Sequence, residues 1–146
     1  MAQPQAKPRV AVLVHDGYQE LEFWYPLLRL REEEIDAVVL GVDADATYVS
    51  HLGYPVIPDQ AFSTEPAGGF TGVVIPGRGA GETLVASPEA IRFVADAAAA
   101  GAAIGVIGGA SAVLTAAGVQ AGPKVAAAAD ANALPEFFRQ FRGQLA

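Results

Sequence analysis

The chain has 146 residues, 52% of them hydrophobic and 17% charged, with a net charge of −7 and no cysteine. That length holds one domain with its own core. The acidic balance, with no basic run to offset it, argues against nucleic acid or an anionic membrane as a partner, and the lack of cysteine excludes disulfides, thiolate metal sites and a cysteine nucleophile.

Residues 1–8 carry two prolines and no apolar core of a signal peptide, so they read as a flexible tail, with 9–146 as a single α/β domain. No stretch reaches the ~18 uninterrupted apolar residues of a membrane span, and the expected location is cytoplasmic. Residues 9–14 (RVAVLV) form a continuous β-branched run that suits a strand buried on both faces. After a loop at 15–18 the pattern turns helical from Glu20, with Glu20 and Glu22 in the first turn, where they favour the helix dipole. Pro26 inside that helix is expected to kink it. Residues 36–42 form a second buried strand. Residues 48–58 hold two short extended pieces around Gly53, a hairpin-like excursion. Residues 72–75 (GVVI) make a third strand, followed by a loop at 76–81.

Ser87-Pro88-Glu89 is a helix start, with serine as N-cap and proline at the first position; that helix runs to about residue 100 and ends at Gly101. Residues 103–107 form a fourth strand, 111–117 a helix closed by Gly118, and 124–129 one more strand. Leu134-Pro135-Glu136 opens a last amphipathic helix with Phe137, Phe138 and Phe141 on its apolar side. Alternating strands and helices predict an α/β fold with a mostly parallel sheet. Such sheets bind ligands at the carboxyl ends of their strands, which directs attention to the loops at 15–18, 76–81 and 108–111.

Residues 104–111 (IGVIGGAS) have the shape of a nucleophile elbow, a strand, a sharp turn and a helix, but the apex is glycine; an ordinary tight βα turn has the same local sequence. The glycines at 77, 79 and 81 lack the spacing of a dinucleotide loop, and no lysine follows any glycine loop as a Walker motif requires.

Taken together, several segments resemble the ThiJ/PfpI family of the class I glutamine-amidotransferase-like superfamily. They are the opening strand and helix VAVLVHDGYQELEFWYPLLRL, the HLGYPV segment at 51–56, VVIPG at 73–77, SPE at 87–89, VIGGASAVLTAAG at 106–118 and LPEFFR at 134–139. The resemblance implies a flavodoxin-like sandwich with helices on both faces, shortened near its C-terminus, and a dimer or larger homo-oligomer. Gly108 stands where the family has its reactive cysteine, Gly109 where many members have histidine, and Arg78 where the family has a second glycine. The protease, glyoxalase and deglycase activities ascribed to the family depend on that cysteine and do not carry over, so a cysteine hydrolase is not expected.

Glu22, four residues before Pro26, matches the family glutamate that hydrogen-bonds the cysteine thiol. With the thiol and imidazole replaced by Gly108 and Gly109, its carboxyl group is expected to face space sized for ligand atoms. The enzyme reading makes Glu22 a general acid/base. The amides of Gly77, Gly109 and Ala110 would then bind a polarised oxygen, in hydratase, lyase, isomerase or cyclase chemistry on a small molecule with no cofactor and no metal. The alternative is a non-catalytic pseudoenzyme, a ligand-binding or partner subunit. Further candidate binding residues are Gly108 itself, Arg78 as an anion clamp or equally a surface charge, Asp16 in the mouth with His15 and Glu20, where a solvated loop is the favoured reading, and His51 beside the hairpin, where structural packing is favoured. Ser111 reads as an N-cap. A second subunit is expected to cover Phe137, Phe138 and Phe141, or the Phe23–Trp24 edge.

Overall fold

The fold is seen in a computed structural model that describes residues 8–77 and 79–145; all but the last residue of the predicted tail at 1–8, and Arg78, lie outside the described residues. Strand β1 (Arg9–Leu13) is the centre of the sheet, because its Val10, Ala11, Val12 and Leu13 carry apolar side chains on both faces and all are fully buried. It pairs in parallel with β2 (Asp36–Gly41) on one side and β6 (Gly72–Ile75) on the other. Strand β5 (Gln60–Ala61) extends the sheet beyond β2. On the far side, β7 (Ala103–Ile107) and β8 (Val125–Ala128) extend it beyond β6, giving six parallel strands in the order β5-β2-β1-β6-β7-β8. A separate antiparallel hairpin joins β3 (Tyr48–Val49) to β4 (Pro55–Val56).

Without the short edge strand β5, this is the flavodoxin-like doubly wound order. The chain winds from β1 to β2 and then returns to β6, so the topological switch point lies between β1 and β6. Helices α1 (Glu20–Glu32) and α5 (Leu134–Gln144) bury Phe23, Leu27, Leu30, Phe137 and Phe141 on one face of the sheet. On the other face α2 (Gly79–Val85), α3 (Pro88–Ala99) and α4 (Ser111–Ala117) bury Leu84, Phe93, Val94 and Val113. Gly105 of β7 makes room for α5: a Cβ there would sit 2.6 Å from the Phe137 ring. Among the described residues no helix is long and apolar enough to cross a membrane.

Helix α1 runs unbroken through Pro26, whose missing N–H leaves the Glu22 carbonyl without its i+4 donor. Several sequence expectations need correction. Residues 79–81, read as the tail of a loop, are the first turn of helix α2 (Gly79–Val85); glycine lowers helix propensity, but here tertiary contact decides. A Cβ on Gly79 would stand 3.0 Å from the Gly17 backbone, and one on Gly81 would stand 3.2 Å from the Ala110 Cα. Ser111 is not a cap: a 3-10 turn at Gly108–Ala110 runs straight into α4, and Ala110 precedes the helix with no side-chain cap bond. Phe137, Phe138 and Phe141 are at most 3% exposed, and Phe23 is fully buried. Each such burial contributes roughly 1.5–3 kcal/mol, so these rings fill the chain's own core and offer nothing to a second subunit.

The end of α1 supplies a prediction. Glu34 has φ 60. Its N–H donates to the Arg31 carbonyl and the Ile35 N–H donates to the Leu30 carbonyl, both at 3.0 Å, the paired bonds of a Schellman motif whose left-handed position favours glycine. Glu34→Gly is expected to raise stability in urea unfolding by about 0.5–1 kcal/mol; an unchanged or lower midpoint contradicts this.

Candidate functional site

The carboxyl ends of β1, β6 and β7 bring three loops together at the switch point. The first leads into α1, where the Gln19 side chain caps the helix by accepting the Glu22 N–H at 2.8 Å. Glu22 is therefore at the third helical position. In a capping box its carboxylate would turn back to the cap residue's N–H. Instead it reaches across the sheet end, where its Oε1 accepts the Gly77 N–H at 3.2 Å. Glu22 is 4% exposed, an unusual place for a glutamate without specific contacts.

The second loop, after β6, contributes Pro76 and Gly77, both buried. A side chain at Gly77 is excluded by backbone: its Cβ would collide with the Ile107 carbonyl oxygen and lie 2.7 Å from Glu22 Oε1. The third loop is the elbow. Gly108 has φ 57, the left-handed apex that glycine adopts without strain. A Cβ built on it would sit 3.2 Å from Glu22 Oε1, with the Ala129 carbonyl and the Gly77 Cα at 3.7 and 3.8 Å. Glu22, Gly77 and Gly108 thus form one cluster. Gly108 is half-buried, Gly109 is exposed with open space at its Cα, and Ala110 is fully buried against the core. The elbow therefore offers backbone, not a side chain, to solvent beside a buried carboxylate.

The remaining expected residues lie at the mouth and hold the hairpin. Asp16 is exposed, and its Oδ1 accepts the Val49 N–H at 2.9 Å. The exposed His51 donates its backbone N–H to the Tyr18 carbonyl at 2.9 Å. Glu20 Oε2 accepts the Leu52 N–H at 2.8 Å, and the Tyr18 hydroxyl donates to the Tyr54 carbonyl at 2.8 Å. The half-buried His15 ring packs at a tilt, 5.0 Å from Tyr48, and its Nδ1 accepts the Asp16 N–H. These contacts give Asp16, Glu20 and His51 a docking role for the hairpin. Arg78 lies outside the described residues. Among the described residues no group of three or more His, Asp or Glu side chains gathers to hold a metal ion. The capping role of Gln19 was missed in the sequence, although its three-residue spacing to Glu22 is a helix-start signal.

The DJ-1/PfpI family model matches residues 8–134. The chain is 33% identical over 88 residues to an uncharacterized protein of Archaeoglobus fulgidus, covering 60% of this chain and 52% of that one. It is 32% identical over 85 residues to a deglycase of Thermococcus kodakarensis, covering 58% and 51%. The match thus spans about half the length of these two relatives. Among solved structures, a cysteine-to-alanine variant of a DJ-1 superfamily protein from Salmonella typhimurium superposes with a TM-score of 0.83 at 26% identity, covering 94% of this chain and 90% of that chain. The DJ-1-like part of a two-domain protein from Anabaena variabilis, which also holds a ferritin-like domain, gives 0.76 at 27% identity, covering 80% and 34%.

Two predictions follow from this geometry. Glu22→Ala removes the acceptor of a buried amide and is expected to cost roughly 1–3 kcal/mol in urea unfolding. Glu22→Gln keeps a side-chain oxygen there and should cost clearly less; equal losses would contradict the bond's importance. The second concerns pH. Burial pushes the Glu20 carboxyl up, but hydrogen bonds from Ser50 and the Leu52 amide outweigh it and hold the group below its ordinary value of 4.5. Burial holds His15 below 6.5 against the opposing pull of Asp16. Both lowered groups stabilise the fold above their ordinary values, and that contribution is lost as pH falls through the folded ones. Amide exchange at Leu52 should therefore accelerate, after correction for intrinsic rates, as pH drops below 4.5, and Glu20→Gln should flatten that step. A pH-independent corrected rate would contradict the docking role.

Proposed function

Since the chain belongs to the DJ-1/PfpI family and has no cysteine, we propose that its elbow is a small-molecule site in which Glu22 acts as general acid/base. The observation that carries this reading is the buried Glu22 carboxylate, held by the Gly77 amide and facing the side-chain-free apex at Gly108. A carbonyl compound approaching over Gly108 and Gly109 would meet backbone polar groups on its oxygen and a carboxylate at the neighbouring carbon. Such a pair supports proton abstraction next to a carbonyl, with the proton returned to the same or an adjacent atom. Isomerisation, hydration, elimination and cyclisation share that step and need no sulfur. The deglycase activity named for the Thermococcus kodakarensis relative is not proposed here, because the family resemblance ties it to a cysteine this chain lacks.

The direct test is deuterium incorporation into a panel of small hydroxycarbonyl compounds in heavy water, followed by NMR. The wild-type protein should catalyse exchange next to the carbonyl, and Glu22→Gln should slow it by about 10²-fold or more, the size of a general acid/base contribution. Exchange equal to buffer, or untouched by Glu22→Gln, would overturn the proposal.

A second reading, a partner subunit, is favoured by a different observation. The exposed large hydrophobic residues Leu21, Leu28, Val49, Leu52, Tyr54 and Ile57 all belong to α1 or the hairpin segment at 48–58. Exposed apolar side chains concentrated on two elements suit an interface, and we propose a second copy of the chain as their occupant, giving a homodimer. Light scattering should return twice the 15.0 kDa chain mass, falling to a single chain for Leu28→Glu combined with Leu52→Glu. A single-chain mass for the wild type would overturn it.

A further inference from the structure

We propose a second binding site, for a small zwitterion of the amino-acid type with an apolar side chain, in the cleft between α3 and the 3-10 turns at Phe62–Thr64 and Ala67–Gly69. The cleft has a volume of about 470 Å³, within the usual range for small-ligand pockets. It lies on the sheet face opposite α1, so it does not rest on the role given to Glu22. Its floor is formed by the Phe62 and Phe93 rings, 5.3 Å apart, with Pro66 at the side.

The specificity comes from one stripe of α3. Glu89, Arg92, Phe93 and Asp96 follow the i, i+3, i+4, i+7 spacing that places residues on one side of a helix, and all four line the cleft. Along roughly 10 Å of helix axis the charges run negative, positive, negative over an aromatic base. Glu65, also at the rim, is already committed: its two oxygens take Arg9 Nη1 and Nη2 at 3.1 Å each. Among the described residues the Glu89 carboxylate accepts only the Ser87 hydroxyl, at 3.1 Å through Oε2. The side chains of Arg92 and Asp96 make no hydrogen bond or ion pair among the described residues, and both residues are exposed.

This pattern discriminates by charge. A simple anion drawn to Arg92 meets Glu89 and Asp96, and a simple cation drawn to those carboxylates meets Arg92. A molecule with adjacent carboxylate and ammonium groups satisfies both, with the carboxylate on the Arg92 fork and the ammonium on Asp96 or Glu89. Its side chain then covers Phe62, Pro66 and Phe93, and the apolar burial adds to ion pairs that would be weak on an open surface.

The test is a two-dimensional amide NMR titration of the full chain with L-phenylalanine. N-acetyl-L-phenylalanine lacks the ammonium, L-phenylalaninamide lacks the carboxylate and glycine lacks the side chain. Saturable shifts should appear in residues 62–67 and 88–96, and each truncated ligand should bind about tenfold more weakly or worse. Arg92→Gln, at an exposed position, should lower phenylalanine affinity by about tenfold while leaving the remaining spectrum unchanged. The proposal is overturned if neither L-phenylalanine nor L-leucine gives saturable shifts by about 10 mM, a range that reports even weak binding. It is equally overturned if the truncated ligands bind as well as phenylalanine, or if Arg92→Gln has no effect.

Discussion

The bond from the Gly77 N–H to Glu22 Oε1 joins the two halves of the fold at the line where its winding reverses. Glu22 stands on the helix that follows β1, and Gly77 follows β6, the neighbouring strand that begins the other half. A carboxylate removed from water costs several kcal/mol unless polar groups replace its hydration. The fold meets that demand with a backbone amide, and it can do so only because residue 77 carries no side chain. A Cβ at this position would strike both the Ile107 carbonyl and the carboxylate.

The same economy extends around the site. Gly17 and Gly79 bring the β1 loop and α2 into backbone contact, each near 3 Å from where the other's Cβ would be. The elbow keeps its left-handed apex at Gly108 although no nucleophile stands there. A side chain at that position would bear αL strain, while glycine does not. The elbow of this DJ-1/PfpI family member is thus built from backbone alone, beside a buried glutamate. The hairpin is fastened to the rim through Asp16, Glu20 and Tyr18, which explains why charged residues at the mouth do not converge on Glu22.

Much of this was legible in the sequence. The apolar runs at 9–14, 36–42, 72–75 and 103–107 announced a parallel sheet because strands buried on both faces need continuous hydrophobicity. Ser87 and Pro88 marked the start of α3 by local capping chemistry, and Gly118 marked the end of α4. Glu22 was singled out by the family resemblance, which matches it to a glutamate four residues before a proline, here Pro26. What the sequence hid depends on contacts between distant residues. Helix α2 was obscured because Gly79 and Gly81 answer to Gly17 and Ala110 rather than to helix propensity. The two-residue strand β5 is defined only by its pairing with Leu40 and Gly41. The three phenylalanines of α5 looked like an interface until Gly72 and Gly105 provided space for two of their rings inside the chain. The docking roles of Asp16 and Glu20 required the hairpin to be in place.

Hydrogen exchange at the single amide of Gly77 tests the central claim most directly. A bond to a buried carboxylate predicts that this amide exchanges only on the timescale of global opening in the wild-type protein, and that Glu22→Ala accelerates it by orders of magnitude while the strands of the sheet stay protected. Rapid exchange at Gly77 in the wild type, or protection that survives the loss of Glu22, would contradict the account.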